Sequence, residues 1–146
     1  MTTTGATSVG KQYATFWLGS GLYGVEVERV REVLREQDIT RVPLAPATVA
    51  GLINLRGQVV TTVDLHERLA LAGERSAESM LVVVLVGGES VALLVDRIGG
   101  VVDVSEDQFE PPPDTLVGMV RELVSGAYKL DGQLLLSLDV DTAVAA

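Results

Sequence analysis

The sequence contains no cysteine, so the chain can form neither a disulfide framework nor a thiolate metal site. Aromatic residues are scarce as well, at 4% of a chain that is 47% hydrophobic. A buried core must therefore consist of valine, leucine and isoleucine, and the β-branched enrichment favours strands. There is one histidine, His66, which excludes a histidine pair for zinc. Since it falls in a charged helical turn, we expect His66 to be a solvated side chain.

Basic residues are also few, with 11 lysines and arginines against 20 acidic residues and a net charge of −9. Such a surface repels phosphate backbones and anionic lipid, which argues against nucleic acid and membrane surfaces as direct partners. The longest aliphatic run, residues 80–86, is far shorter than the roughly 20 residues that span a bilayer. Residues 1–11 lack the features of a signal peptide and are expected to be flexible. These absences predict a soluble cytoplasmic protein.

Two strings of the sequence recur in the same order. GLINLRGQVVTTVDL at 51–65 returns as GAYKLDGQLLLSLDV at 126–140, and YGVEVERVREVL at 23–34 returns as VALLVDRIGGVV at 91–102. The second half has gained about seven residues between its two blocks, and the proline-rich stretch 110–114 with its sequel is the natural place for them. Two matching blocks in one order favour internal duplication over chance similarity of apolar strings.

Alternation of apolar and polar residues predicts five short strands in each half, which is the inventory of a small barrel. The first half would place them at 12–18, 22–27, 30–35, 51–55 and 58–63, and the second at 80–87, 91–96, 101–104, 122–130 and 133–138. The polar stretch 73–79 would connect the halves.

The segment VEVERVREVLRE could by itself be an amphipathic helix. Its counterpart in the second half carries the adjacent glycines Gly99 and Gly100, each of which costs roughly 1 kcal/mol in a helix interior. Strand, bend and strand is therefore the favoured interpretation. LRGQV and LDGQL are typical of hairpin turns, and Asp64 and Asp139 are typical of N-caps for short helices at 65–71 and 140–146.

The sequence offers little for catalysis. GSGLYG, spanning Gly19–Gly24, satisfies G-x-G-x-x-G, but the dinucleotide fingerprint requires a strand, a glycine loop and then a helix. This segment joins strand to strand, so a hairpin turn is favoured and a small nucleotide-binding protein is the less favoured alternative. No serine occupies a G-x-S-x-G elbow, and the carboxylates are scattered. An enzyme is therefore disfavoured.

Charge breaks the symmetry of the repeat at two positions. Arg56 stands where the second half has Asp131, and Glu32 stands where it has Gly100. One half therefore has a task that the other lacks, and a guanidinium at a hairpin tip offers five donors for a partner's carboxylates or carbonyls. Glu32 could pair with Arg56, although an exposed pair would contribute under about 1 kcal/mol. An exposed turn arginine with no role is the remaining alternative.

The ordered motif at 51–65, preceded by the motif at 23–34, strongly resembles the CheW family of chemotaxis coupling proteins, from about Gln12 to Val144. The resemblance implies a mainly β fold of two SH3-like five-stranded β-barrel subdomains, related by internal duplication and carrying short helices. The first would cover 12–75 and the second 76–146, with the N-terminal strand able to join the second barrel. The family has no enzymatic activity and needs no cofactor or metal.

The resemblance also implies partners and contact residues. CheW proteins bridge the cytoplasmic hairpin of methyl-accepting chemoreceptors to the regulatory domain of the histidine kinase CheA, in membrane-associated arrays. A coupling protein of a chemosensory-like pathway for pili or development is an alternative. Alone, the protein is expected to be a monomer. The kinase contact maps to Val27, and the receptor groove maps to six positions: Val30, Glu32, Gly51, Asn54, Arg56 and Ile98.

Overall fold

The computed structural model describes residues 10–35, 38–71 and 79–145. Within them the chain is mainly β, which confirms the predicted fold class. The strands are β1 Gly10–Leu18, β2 Gly21–Glu26, β3 Val30–Arg35, β4 Val49–Leu55, β5 Gln58–Asp64, β6 Met80–Val86, β7 Glu89–Val95, β8 Arg97–Ser105, β9 Phe109–Glu110, β10 Val124–Leu130 and β11 Gln133–Leu138. The short helices are α1 Leu65–Arg68, α2 Gly118–Leu123 and α3 Val140–Val144, with 3-10 turns at Val27–Arg29 and Glu106–Gln108.

Each of the ten predicted strands is present, with bounds shifted by a few residues. The ambiguous segment after β2 is a 3-10 turn followed by β3, so the strand interpretation is confirmed. Two elements were missed: β9, and α2, which occupies the start of the strand predicted at 122–130. Of the predicted flexible N-terminus, residues 1–9 lie outside the described residues, and Gly10 already begins β1. Of the predicted connector at 73–79, residues 73–78 lie outside the described residues.

The strands form two sheets. Sheet I has the order β9-β10-β11-β2-β1-β8, and sheet II has the order β3-β6-β7-β5-β4. Sheet II is built from residues 30–95, whereas sheet I takes residues 10–26 and 97–138. The predicted boundary between residues 75 and 76 therefore does not coincide with the division between the sheets. The physical reason is reciprocal exchange, because the first hairpin of each half pairs with strands of the other half.

The pairing repeats residue for residue between the sheets, which confirms the duplication. In sheet II the parallel pair of β5 and β7 aligns Thr62 with Ala92, and in sheet I the parallel pair of β11 and β2 aligns Ser137 with Gly24. The register shift between Val49 and Gly51 in β4 recurs between Val124 and Gly126 in β10.

Gly51 and Gly126 perform the same steric task in the two sheets. Thr40 and Leu52 exchange two backbone hydrogen bonds of 2.8 Å, which carry the chain after β3 across β4. A Cβ on Gly51 would collide with the carbonyl oxygen of Thr40, and a Cβ on Gly126 would lie 2.6 Å from that of Glu110. Because these glycines have no side chain, the segment that follows one edge strand can approach the opposite edge of the same sheet.

The core is divided between the two sheets and the space that joins them. Sheet I has its own small cluster around Tyr13, Tyr128 and Leu135, and sheet II has one around Ile53 and Leu81. The largest cluster contains residues of both sheets and of the helices α1, α2 and α3. Its buried members include Phe16, Leu18, Tyr23, Val25, Val63, Leu65, Val82, Val84, Leu93, Leu136 and Leu138. The sheets therefore hold a fixed relation, which positions every surface described below.

The predicted N-caps are confirmed and support a stability prediction. Asp64 accepts a hydrogen bond from the backbone N–H of Glu67 at 3.3 Å, and Asp139 accepts one from Thr142 at 3.2 Å. We expect Asp64→Ala and Asp139→Ala each to lower the free energy of unfolding by about 1 kcal/mol. The loss should be larger at the buried Asp64. Urea unfolding of both variants tests this, and an unchanged midpoint for Asp64→Ala would contradict it.

Candidate functional site

Arg56 lies in a two-residue turn that joins β4 to β5, with Leu55 paired to Gln58. Both turn residues have positive φ, 53° at Arg56 and 82° at Gly57, as a type I′ hairpin requires. The side-chain oxygen of Asn54 accepts the backbone N–H of Gly57 at 2.9 Å and so fixes the turn. The sequence predicted a hairpin here, and the structure confirms it.

The corresponding turn of the second half is built differently. There Gly132 has positive φ while Asp131 does not, and Lys129 occupies the position of Asn54. The backbone geometry that projects Arg56 is therefore specific to the first half, in addition to the charge difference.

Arg56 forms the predicted ion pair with Glu32 of β3. Its guanidinium donates to both carboxylate oxygens, with Nη1 3.3 Å from Oε1 and Nη2 in closer contact with Oε2. The Arg56 side chain is 72% exposed and that of Glu32 is 23% exposed. Because water screens such a pair, it contributes little to stability, and its effect is to orient the guanidinium. Since β3 and β4 are the two edge strands of sheet II, the ion pair also links the two edges of the sheet.

A hollow of about 490 Å³ lies beside this pair. Leu55 and Val83 supply apolar surface, while Gln58, Ser90 and Arg31 supply polar groups. A charged tip next to a part-apolar hollow suits contact with a protein surface, because the hollow can receive an apolar side chain and the guanidinium a carboxylate or carbonyl.

The remaining predicted contact residues fall in different settings. Val30 and Ile98 are half-buried at equivalent positions of the two halves, and both pack against the large shared core cluster. Gly51 is buried, so its role in the structure is steric. Val27 is half-buried in the 3-10 turn between the sheets. The structure therefore brings Glu32, Asn54 and Arg56 together where the two edge strands of sheet II approach each other.

The prediction that His66 is a solvated side chain is wrong. His66 is buried on α1, and its Nε2 lies 2.9 Å from both carboxylate oxygens of Asp96. Asp96 also accepts the backbone N–H of Gly19 at 2.6 Å. The pair thus fixes the passage from β7 to β8, where the chain crosses from sheet II to sheet I. No local pattern signals it, since the two residues lie 30 positions apart.

A second ion pair, which the sequence reasoning missed, fixes the opposite crossing at Val27–Arg29. Arg29 Nη2 lies 2.6 Å from Oδ1 of Asp141 on α3, and Arg29 Nε donates to the carbonyl oxygen of Leu85 at 3.0 Å. The hydrogen bond that Arg29 donates to the carboxylate of Asp141 raises the pKa of the guanidinium. Asp141 is the repeat counterpart of His66, so each crossing is held by the second residue of a short helix.

The glycine segment Gly19–Gly24 is the predicted hairpin. Leu18 pairs with Gly21 across a two-residue turn, and β2 follows where the dinucleotide fingerprint requires a helix. Within the described ranges, no cluster of three or more potential metal ligands occurs. No helix in that part of the chain is long and apolar enough to cross a bilayer.

Comparison with known proteins identifies the family. The family model described as CheW-like domain matches residues 12–146, nearly the whole chain. The chain belongs to the CheW-like domain family. This confirms the resemblance stated from the two motifs, and the matched range agrees with the expected extent.

Individual relatives agree with the family assignment. The chemotaxis protein CheW of Treponema pallidum is 33% identical over 134 residues, covering 88% of this chain and 79% of the relative. The chemotaxis protein CheW of Rhizobium meliloti is 31% identical over 137 residues, covering 93% and 88% respectively. The crystal structure of the scaffolding protein TtCheW from Thermoanaerobacter tengcongensis superposes with a TM-score of 0.85 at 28% identity, covering 94% of both chains.

Proposed function

We propose that this chain is a non-enzymatic chemotaxis adaptor, which couples the cytoplasmic tips of chemoreceptors to the regulatory domain of the histidine kinase CheA. The observation that carries the proposal is the Arg56–Glu32 pair with its Asn54-capped turn, which the equivalent turn of the second half lacks. Because Arg56 is largely exposed and the pair contributes little to stability, contact with a partner is the better explanation for it. The relatives named chemotaxis protein CheW and the scaffolding protein TtCheW support the same role.

The receptor contact is proposed at Glu32, Asn54 and Arg56, extended along β3 to Val30 and across the sheet junction to Ile98. Gly51 belongs to this proposal through its effect on the path of β4, since its own atoms are buried. A receptor hairpin would lay helical side chains against the hollow, with Arg56 on the rim. The protein would act in the cytoplasm and join membrane-associated arrays through its partners.

The kinase contact is proposed at Val27. It lies between the two sheets, at a crossing that Arg29 and Asp141 hold in place, so its backbone is fixed before any partner arrives. A fixed contact limits the conformational entropy lost on binding.

Size-exclusion chromatography with light scattering tests the adaptor role. The protein would be combined with the CheA regulatory domain and a receptor tip fragment of the same organism, singly and together. We expect a three-component complex whose mass equals the sum of its parts, and no complex of kinase domain and receptor fragment when this protein is omitted. Failure of the wild-type protein to co-elute with either partner would contradict the proposal.

A further inference from the structure

Two arginines of the first half hold the helix α3 of the second half. Arg29 pairs with Asp141 in the first turn of α3, with Nη2 2.6 Å from Oδ1. Arg68, the last residue of α1, donates from Nε to the carbonyl oxygen of Ala143 at 2.8 Å and from Nη2 to that of Thr142 at 3.1 Å. The last carbonyl groups of any helix lack a donor inside the helix, and an arginine can supply one. The first half therefore holds α3 at both of its ends.

The contact of Arg68 with α3 joins the two crossings between the sheets. Arg68 lies two residues after His66 on α1, and His66 holds Asp96 at the crossing from β7 to β8. On the other side, Asp141 holds Arg29 at the crossing from β2 to β3. Each helix is little more than one turn long, with four residues in α1 and five in α3. A displacement at one crossing is therefore passed through α1, Arg68 and α3 to the other.

The two ends of this polar network adjoin the two proposed partner contacts. Val27, the proposed kinase contact, begins the 3-10 turn that ends at Arg29. Ile98, which belongs to the proposed receptor contact, lies two residues after Asp96. Arg68 itself is half-buried and belongs to neither contact. Contiguous hydrogen bonds, ion pairs and rigid elements are the means by which free-energy coupling passes between separate sites.

We propose that Arg68 is a positioning residue that couples the kinase contact to the receptor contact. The inference rests on the proposed adaptor function. A partner bound at one crossing restricts the other crossing through α1, Arg68 and α3, so the second partner loses less conformational entropy when it binds. The coupling is therefore positive, and by linkage each partner raises the affinity for the other by the same factor.

Calorimetric titration with the CheA regulatory domain, with and without a saturating receptor tip fragment, measures this coupling. We expect the receptor fragment to raise the kinase affinity of the wild-type protein by at least about fivefold. The variant Arg68→Met keeps most of the apolar stem but removes the donors, so the factor should fall below about twofold. With one partner alone, the affinities of Arg68→Met should stay within about twofold of wild type, because Arg68 lies outside both contacts.

Arg121→Met is the matched control. Nη1 of Arg121 donates to the carbonyl oxygen of Pro113 at 3.1 Å, so this variant also removes an arginine–carbonyl bond, on α2 and outside the network. Its coupling factor should equal that of wild type.

Two further variants test the network itself. Arg68→Lys keeps a cationic donor and should retain most of the coupling. Asp141→Asn interrupts the next link at a residue whose side chain is 63% exposed, so the fold should tolerate it. We expect Asp141→Asn to lower the coupling factor as Arg68→Met does.

Three results would overturn the Arg68 assignment: no coupling in a wild-type protein that binds both partners, wild-type coupling in Arg68→Met, or an equal loss in Arg121→Met. A lower affinity of Arg68→Met for each partner alone, together with a lower melting temperature, would also overturn it, because Arg68 would then have a structural role only. A wild-type protein that fails to bind one or both partners would contradict the adaptor function itself, which distinguishes that outcome from failure of Arg68.

Discussion

Arg56→Asp is expected to lower the affinity for the receptor tip fragment by at least about 100-fold while leaving the fold intact. The substitution removes the donor fork at the hairpin tip and places a carboxylate next to Glu32, so the site becomes repulsive to the acidic groups that Arg56 would bind. Stability should change little, because Arg56 is largely exposed and water screens the existing pair, which is worth under about 1 kcal/mol. Calorimetric titration for affinity and thermal melting for the fold provide the two readouts.

Two further variants separate partner contact from internal pairing. Asp131→Arg reverses the charge at the equivalent turn of the second half and should leave receptor affinity unchanged. The double variant Glu32→Arg with Arg56→Glu keeps an ion pair but inverts it, and we expect it to bind as poorly as Arg56→Asp. Restored affinity in the double variant would mean that Arg56 acts through Glu32, and full affinity in Arg56→Asp would remove Arg56 from the site.

Gly51→Ala is expected to destabilise the fold by about 3 kcal/mol, from overpacking together with backbone strain. The new methyl group would collide with the carbonyl oxygen of Thr40 and lie 2.7 Å from Cγ2 of Ile39, at a residue whose φ is 148°. Thr40 and Leu52 exchange backbone hydrogen bonds at this point. If the segment around Thr40 moved away from β4 to make room for the methyl group, these bonds between the two edges of sheet II would break. Urea unfolding gives the free energy directly.

Gly88→Ala is the control that separates the cost of backbone strain at positive φ from the cost of a steric clash of the new methyl group. Gly88 has φ 82° in the β6–β7 turn, and a Cβ there would meet nothing within 4 Å, so the loss should be about 1 kcal/mol. Gly126→Ala, at the repeat counterpart of Gly51, should be as damaging as Gly51→Ala, since its methyl group would press on Phe109 and Glu110. Equal losses for Gly51→Ala and Gly88→Ala would show that the close approach to Thr40 carries no cost.

The strands could be predicted because each shows a local alternation of apolar and polar residues, and because the internal repeat presents most of them a second time. The repeat resolved the segment after β2, where alternation by itself was ambiguous between helix and strand. The distribution of hairpins between sheets could not be predicted, since local periodicity does not state which strand a hairpin joins. The short helix α2 was missed because its apolar residues run directly into β10, and β9 because it is two residues long.

The site could be predicted only where the two halves of the repeat differ. Arg56 and Glu32 were identified because their counterparts differ in charge, and their pairing is confirmed. The ion pair of Arg29 with Asp141 was missed, since it joins residues 112 positions apart. His66 was misjudged for the same reason, because its partner Asp96 lies on the crossing between the sheets.

The most direct test of the adaptor account is kinase activity in a reconstituted system. Phosphate incorporation into CheA would be followed on vesicles carrying the matching chemoreceptor, with no adaptor, with the wild-type protein and with Arg56→Asp. The account predicts that phosphorylation responds to receptor ligand with the wild-type protein, and that the response is lost both without adaptor and with Arg56→Asp. Receptor-controlled phosphorylation that persists without this protein would contradict its role as the coupling component.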